Sequence, residues 1–120
     1  MFYGTGFEFY PVEEKLIVES DSDIVLVDIG GGIGHDLSAF HDKYPALKGK
    51  LVLQDLPIVI ESVKDIPTKI EALAQDFFQP QQIKGAKAYY LRSILHDWPD
   101  KQALEILARI KEAMNENSIL

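Results

Sequence analysis

Residues Val25 to Gly34 read VLVDIGGGIG. An apolar run from Ile24 to Val27 meets an acid, Asp28, and then a glycine turn made of Gly30, Gly31, Gly32 and Gly34. A buried strand that runs into such a turn and on into a helix is the usual ligand cradle of a parallel α/β sheet. Glycine is needed because the backbone bends sharply and approaches a ligand with no Cβ in the way. The spacing narrows the choice of ligand. The dinucleotide fingerprint places glycines at the first, third and sixth positions. Counted from Gly30 the sixth position is His35, and counted from Gly32 it is Leu37, so the spacing argues against a dehydrogenase. The phosphate loop ending in Gly-Lys-Ser/Thr is also absent. What fits is acid-x-Gly-x-Gly-x-Gly, carried by Asp28, Gly30, Gly32 and Gly34.

Outward from this turn, strands and helices alternate. Pro11 to Glu19 reads as a short helix with Pro in its first turn, broken by Asp21-Ser22-Asp23. Ile24 to Asp28 is expected as a first strand, apolar as befits a strand covered on both faces. His35 to Lys43 is a helix with Leu37 and Phe40 inward, ended by Tyr44-Pro45. Lys50 to Gln54 is a second strand, Ile58 to Val63 a short helix, Ile70 to Ala74 a third strand and Ala86 to Leu91 a fourth. Asp100 to Met114 is an amphipathic helix with Ala103, Leu107, Ile110 and Met114 at helical spacing. This alternation predicts an α/β fold with a parallel sheet and right-handed crossovers.

The composition limits the function. The 120 residues suit one domain, and 47% hydrophobic residues are enough for a packed core. A formal charge of −7 argues against a nucleic-acid partner, which calls for a basic surface. Without cysteine there is no disulfide and no thiolate zinc site. No apolar run approaches the roughly 20 residues of a membrane span, and the start MFYGTGFEFYP has no secretory pattern. A soluble, cytoplasmic protein with no membrane partner is the expectation.

Other residues carry chemistry. Asp55 follows the second strand, 21 residues after Gly34. An acid there accepts hydrogen bonds from ribose hydroxyls, or it simply forms the turn before Leu56-Pro57. After the third strand come Asp76, Phe77 and Phe78. The acid suits an exocyclic adenine amine and an aromatic suits its face, although a Phe pair alone is more often core. Tyr90 to Asp100 reads YLRSILHDWPD. His96 is either a loop histidine or a general base, since an imidazole of pKa about 6.5 accepts protons near neutrality. Trp98 packs or walls a pocket, Asp97 orients the base or caps the next helix, and Arg92 meets a carboxylate or faces solvent.

The glycine pattern resembles the first motif of class I S-adenosylmethionine-dependent methyltransferases. A carboxylate at the strand end suits a cationic sulfonium amino acid better than a pyrophosphate. The later segment is similar to the catalytic stretch of plant and fungal O-methyltransferases of the caffeic-acid type. Their pattern runs roughly Lys/Arg-x-Ile/Leu-x-His-Asp-Trp-x-Asp, here Arg92, Ile94, His96, Asp97, Trp98 and Asp100. FYPVEEKL, VDIGGGIGHDL, LQDLP and QDFF match the same group, especially its fungal members, so the likeness covers nearly the whole chain.

The resemblance implies a Rossmann-like parallel sheet of the class I type, with about four strands and the start of a fifth. It divides the chain into a lead segment, 1–22, with a short helix, and a partial S-adenosylmethionine-binding domain, 23–120. It implies S-adenosylmethionine as cofactor, a hydroxyl of a small aromatic molecule as acceptor, no metal, and homodimers among full-length relatives. By resemblance His96 is the base. Asp28 and the loop Gly30, Gly31, Gly32, Gly34 hold the cofactor, Asp55 with Leu56 lies at the ribose, Asp76 and Phe77 hold adenine, and Arg92 contacts the methionine end. Family members also carry a helical N-terminal domain, and they continue past the fifth strand with acids that brace the histidine. Leu120 falls at or inside that strand, so a truncated gene product or incomplete gene model is expected. Alone, such a chain is expected to show little turnover and to aggregate through Ala86 to Leu91 as an edge strand. The competing reading is a cofactor-binding remnant without catalysis.

Overall fold

The strands are mostly apolar, and Ile24–Ile29, Lys50–Asp55 and Ala88–Tyr90 are largely buried, because both faces of the central sheet are covered. In the computed structural model, which describes residues 15–20, 22–32, 34–64, 66–67, 69–91, 100–115 and 118, seven elements follow one another. They are β1 (Ile24–Ile29), α1 (His35–Lys43), β2 (Lys50–Asp55), α2 (Pro57–Ile60), β3 (Ile70–Ala74), β4 (Ala88–Tyr90) and α3 (Asp100–Ala113). Among the described residues one sheet of four strands forms, in the order β3-β2-β1-β4. Every pairing is parallel. The α/β class and the parallel sheet are therefore as the sequence implies. No helix among the described residues is long and apolar enough to cross a membrane.

Strand alternation sends side chains to two cores. On one face Leu51 and Leu53 of β2 pack with Leu37 and Phe40 of α1. On the other, Val27, Ile29 and Val52 pack with Ile106, Ile110 and Ala113 of α3. A shift in the β1–β2 register between Ile24 and Leu26 puts Val25 and Leu26 into the same core. A bulge of this kind resets which face each later residue takes. Val27 and Ile29 then point toward α3, and Asp28 lies between them in the alternation, on the α1 side.

Several boundaries differ from the sequence reading. Of the helix expected over Pro11 to Glu19, residues 11–14 lie outside the described residues. Lys15 is helical, but Leu16 to Ser20 is not. Leu16 is fully buried in the α1-side core, so burial outweighs local propensity there and this residue of the lead segment takes part in the domain's packing. The helix expected to reach Val63 stops at Ile60, where Ser62 and Val63 donate backbone bonds three residues back, to Val59 and Ile60, and tighten the chain into turns. The fourth strand is shorter than Ala86 to Leu91, because the Ala86 N–H bonds the Tyr89 hydroxyl rather than a neighbouring strand. On α3 the buried stripe is Ala103, Ile106, Ile110 and Ala113, while Leu107 and Met114 are only partly buried. Of the expected fifth strand only Ser118 is described, and it is not in a strand.

Candidate functional site

The chain steps outward from β1 to β2 to β3 and then returns to the far side of β1. In open parallel sheets a ligand crevice lies outside the carboxyl ends of the strands at such a reversal. Asp28, the glycine turn, Asp55 and Asp76 all lie at or just past carboxyl ends.

The glycine turn is tied to β2. The N–H groups of Gly30 and Gly31 both donate to the Gln54 carbonyl, at 2.8 and 3.2 Å. Gly32 N–H donates to Asp55 Oδ2 at 2.9 Å. Gly30, Gly32 and Gly34 take φ of 75°, 64° and 95°, the left-handed region that favours glycine. Gly31 is constrained differently. A Cβ there would lie 2.5 Å from Leu53 Cδ1 and 2.6 Å from Asp28 Oδ2. A Cβ on Gly32 would meet nothing within 4 Å, so the turn opens onto free space at that point. Asp36 occupies the first turn of α1, and its negative charge makes this helix start unsuited to a phosphate.

Asp28 is 3% exposed, and its Oδ2 has no hydrogen-bond partner among the described residues. Burial pushes its carboxyl up to about 8, with the negative charges of Asp36 and Asp55 adding to the rise. It therefore holds a proton at neutral pH in the unliganded chain. An orphaned buried acid is costly and calls for an explanation. A cation reaching this oxygen at the glycine turn would supply one.

Asp55 is partly buried. Its Oδ2 takes the Gly32 N–H and its Oδ1 takes the Leu56 N–H at 2.7 Å. The turn-forming role is thus realised. A carboxylate offers about four lone-pair sites, so each oxygen keeps room for one more donor, enough for two adjacent ribose hydroxyls. Leu56 is 38% exposed at the start of α2. Asp76 is exposed, and its Oδ1 accepts the Phe78 N–H at 3.0 Å. Phe77 is 6% exposed and packs in the α3-side core with Val52 and Ile106, so its ring is core rather than a shelf for a base. Arg92, His96, Asp97 and Trp98 lie outside the described residues.

Sequence reasoning passed over three buried glutamines, Gln54, Gln75 and Gln81. The signal was there: Gln54 is a polar residue inside an otherwise apolar strand. Its side chain exchanges two hydrogen bonds with Gln81, at 2.6 and 2.8 Å. Gln75 Nε2 donates to the carbonyls of Asp76 and Pro80, and its Oε1 accepts from Gln82.

These residues fit the cofactor that the sequence implies. The open side of Gly32 leaves room for it, Asp28 offers a counter-charge to a cation, and Asp55 keeps acceptors for a ribose.

Residues 15–120 match the O-methyltransferase domain family, whose members use S-adenosylmethionine. The chain is 49% identical to the O-methyltransferase ucdC of Aspergillus ustus over 102 residues, which is 85% of this chain and 27% of that protein. Among solved structures it is similar to LepI in complex with SAH and a substrate analogue, with a TM-score of 0.84 and 43% identity. A pericyclic reaction enzyme gives the same TM-score and identity. Each of these two matches covers 92% of this chain and 30% of the solved one. The chain thus spans between a quarter and a third of the length of these relatives.

Proposed function

The chain belongs to the O-methyltransferase domain family, and on that premise we propose that it binds S-adenosylmethionine at the glycine turn and serves methyl transfer to a hydroxyl of a small aromatic molecule. The observation that carries this reading is Asp28, a buried acid whose unpartnered oxygen lies against Gly31 of the turn, the residue before the open side at Gly32. The bound cofactor supplies an activated methyl group, so the protein's task is alignment and removal of one proton. Asp28 faces the cationic amino-acid end and gives up its proton to do so. Asp55 accepts from the ribose hydroxyls through the sites left free on its two oxygens, with Leu56 beside the sugar. Asp76 takes the adenine amine, with the main chain rather than the ring of Phe77 at the base. Arg92 pairs with the methionine carboxylate. His96 accepts the acceptor's hydroxyl proton as the oxygen attacks, a role suited to an imidazole near neutral pH.

Calorimetry with S-adenosylhomocysteine and with NADH tests the cofactor. Binding of NADH alone would overturn the reading. His96→Gln should leave S-adenosylhomocysteine affinity nearly intact and cut turnover on phenols by about 10²–10⁴, the usual contribution of a positioned base.

A second reading is favoured by one observation: a pericyclic reaction enzyme is 43% identical to this chain. On it the same site holds the cofactor while the small molecule rearranges without gaining a methyl group. Product mass separates the two, since methylation adds a CH₂ and rearrangement leaves the mass unchanged.

A further inference from the structure

Gln54 touches both walls of the crevice at once. Its carbonyl holds the glycine turn through Gly30 and Gly31. Its fully buried side chain holds Gln81, near the end of the loop that starts at Gln75 and carries Asp76 and Phe77. The same Gln81 Oε1 takes the Ile83 N–H at 3.0 Å. Gln75 staples that loop internally, from the carbonyls of Asp76 and Pro80 to Gln82. Gln82 in turn donates to the carbonyl of Ala74, the last residue of β3.

Stability alone does not call for this arrangement. Both side chains are buried, Gln54 on the α3 side of β2 by alternation with Val52, and two aliphatic residues of like volume there would not desolvate two amides. Replacing both members of a buried polar pair by apolar groups is often near neutral. Apolar contact, however, is non-directional and tolerates sliding. A reciprocal amide pair has one geometry, and a slip of the loop leaves up to four polar sites unpaired in a low-dielectric interior.

We propose that the Gln54–Gln81 amide pair is a positioning device for the cofactor: it fixes the adenine-side loop, Gln75 to Ile83, relative to the glycine turn. This rests on the cofactor reading above. Neither glutamine touches the ligand in this account. The pair sets the span between the Asp28 end and the Asp76 end, which an adenosyl amino acid must bridge.

The test is a double-substitution cycle, Gln54→Leu, Gln81→Leu and both together, read by denaturant unfolding and by calorimetry with S-adenosylhomocysteine and 5′-methylthioadenosine. Each single change strands an amide and should lower both stability and affinity. The double change should recover most of the stability but not the affinity, which stays about ten- to hundredfold below wild type, the range set by losing one or two well-placed hydrogen bonds to the ligand. The loss should be larger for S-adenosylhomocysteine, which bridges the Asp28 and Asp76 ends, than for 5′-methylthioadenosine, which reaches only the adenine loop. If the leucine pair does not fold, Gln54→Met with Gln81→Met, which keeps side-chain length, is read in the same way. A folded double variant that binds within about twofold of wild type overturns the proposal, since a purely structural pair predicts that affinity returns with stability. A wild-type chain that binds neither ligand refutes the cofactor reading itself, and the proposal falls with it.

Discussion

Replacing Asp28 by Asn separates the two states of that acid. In the folded chain its carboxyl titrates at about 8, against an ordinary value of 3.8. Between those values the folded state holds a proton that the unfolded state has released, so this group makes stability fall as pH rises. The effect is absent below about pH 4, grows by about 1.4 kcal/mol per unit, and reaches on the order of 4 kcal/mol at pH 7. Asp28→Asn cannot ionise. The stability difference between variant and wild type should therefore widen in the variant's favour from pH 4 to pH 7, as read by denaturant unfolding at each pH. Ligand binding reverses the sign. A cationic amino group beside Asp28 favours the carboxylate, so S-adenosylmethionine should expel the proton. At pH 7 a group titrating at 8 is about nine-tenths protonated, and the ligand's own amine, of pKa about 7.7–8.0, takes up about a tenth of a proton. Binding should thus release about 0.8 proton, measured by calorimetry in buffers of low and high ionisation enthalpy. Affinity should rise about tenfold from pH 6 to pH 7, peak near pH 8 and fall at higher pH as the ligand's amine loses its proton. The Asn variant should release none, and 5′-methylthioadenosine, which has no α-amino group, should release none from either chain. Equal proton release by wild type and variant would refute the assignment of Asp28 to the cationic end.

Other outcomes follow from the same geometry. Gly31→Ala forces a Cβ to within 2.6 Å of both Leu53 Cδ1 and Asp28 Oδ2, and should cost about 1–3 kcal/mol of stability in chemical unfolding. Gly32→Ala meets no atom but keeps a left-handed φ, so it should cost only about 1–2 kcal/mol of stability. Its Cβ enters the space assigned to the ligand, and S-adenosylhomocysteine affinity measured by calorimetry should fall disproportionately. Asp55→Ala releases the Gly32 and Leu56 amides and the ribose contacts together, and should weaken cofactor binding by about 1–3 kcal/mol in titration calorimetry. Strand β4 pairs only with β1 among the described residues. The 120-residue polypeptide should accordingly self-associate, with concentration-dependent sedimentation, and a monomer across the accessible range would count against an open edge.

The elements of the sheet were legible because their signals are local. Ile24 to Val27 is apolar whichever face it presents, and Ile70 to Ala74 is found as a strand with the bounds read from the sequence. His35 to Lys43 carries its own start and stop, a glycine before it and Tyr44-Pro45 after it. The glycine spacing alone separated this turn from the dinucleotide fingerprint, because a positive φ at Gly30, Gly32 and Gly34 is a backbone demand that few other residues meet.

What the sequence could not decide depends on residues far apart in the chain. The strand shift before Leu26, set by pairing with β2, determines which face receives Asp28. Its raised titration follows from burial and from Asp36 and Asp55, the latter 27 positions away. The sequence leaves Phe77 as core or shelf, with core the commoner for a Phe pair, and the α3-side packing places its ring in the core. Gln54 and Gln81 look like unrelated polar residues until the fold brings them together, 27 positions apart, in a place shielded from bulk solvent. Local propensity and spacing report what a segment demands of its own backbone. The charge state and partner of a buried side chain depend on the solvent it loses, and only the packed sheet determines that loss.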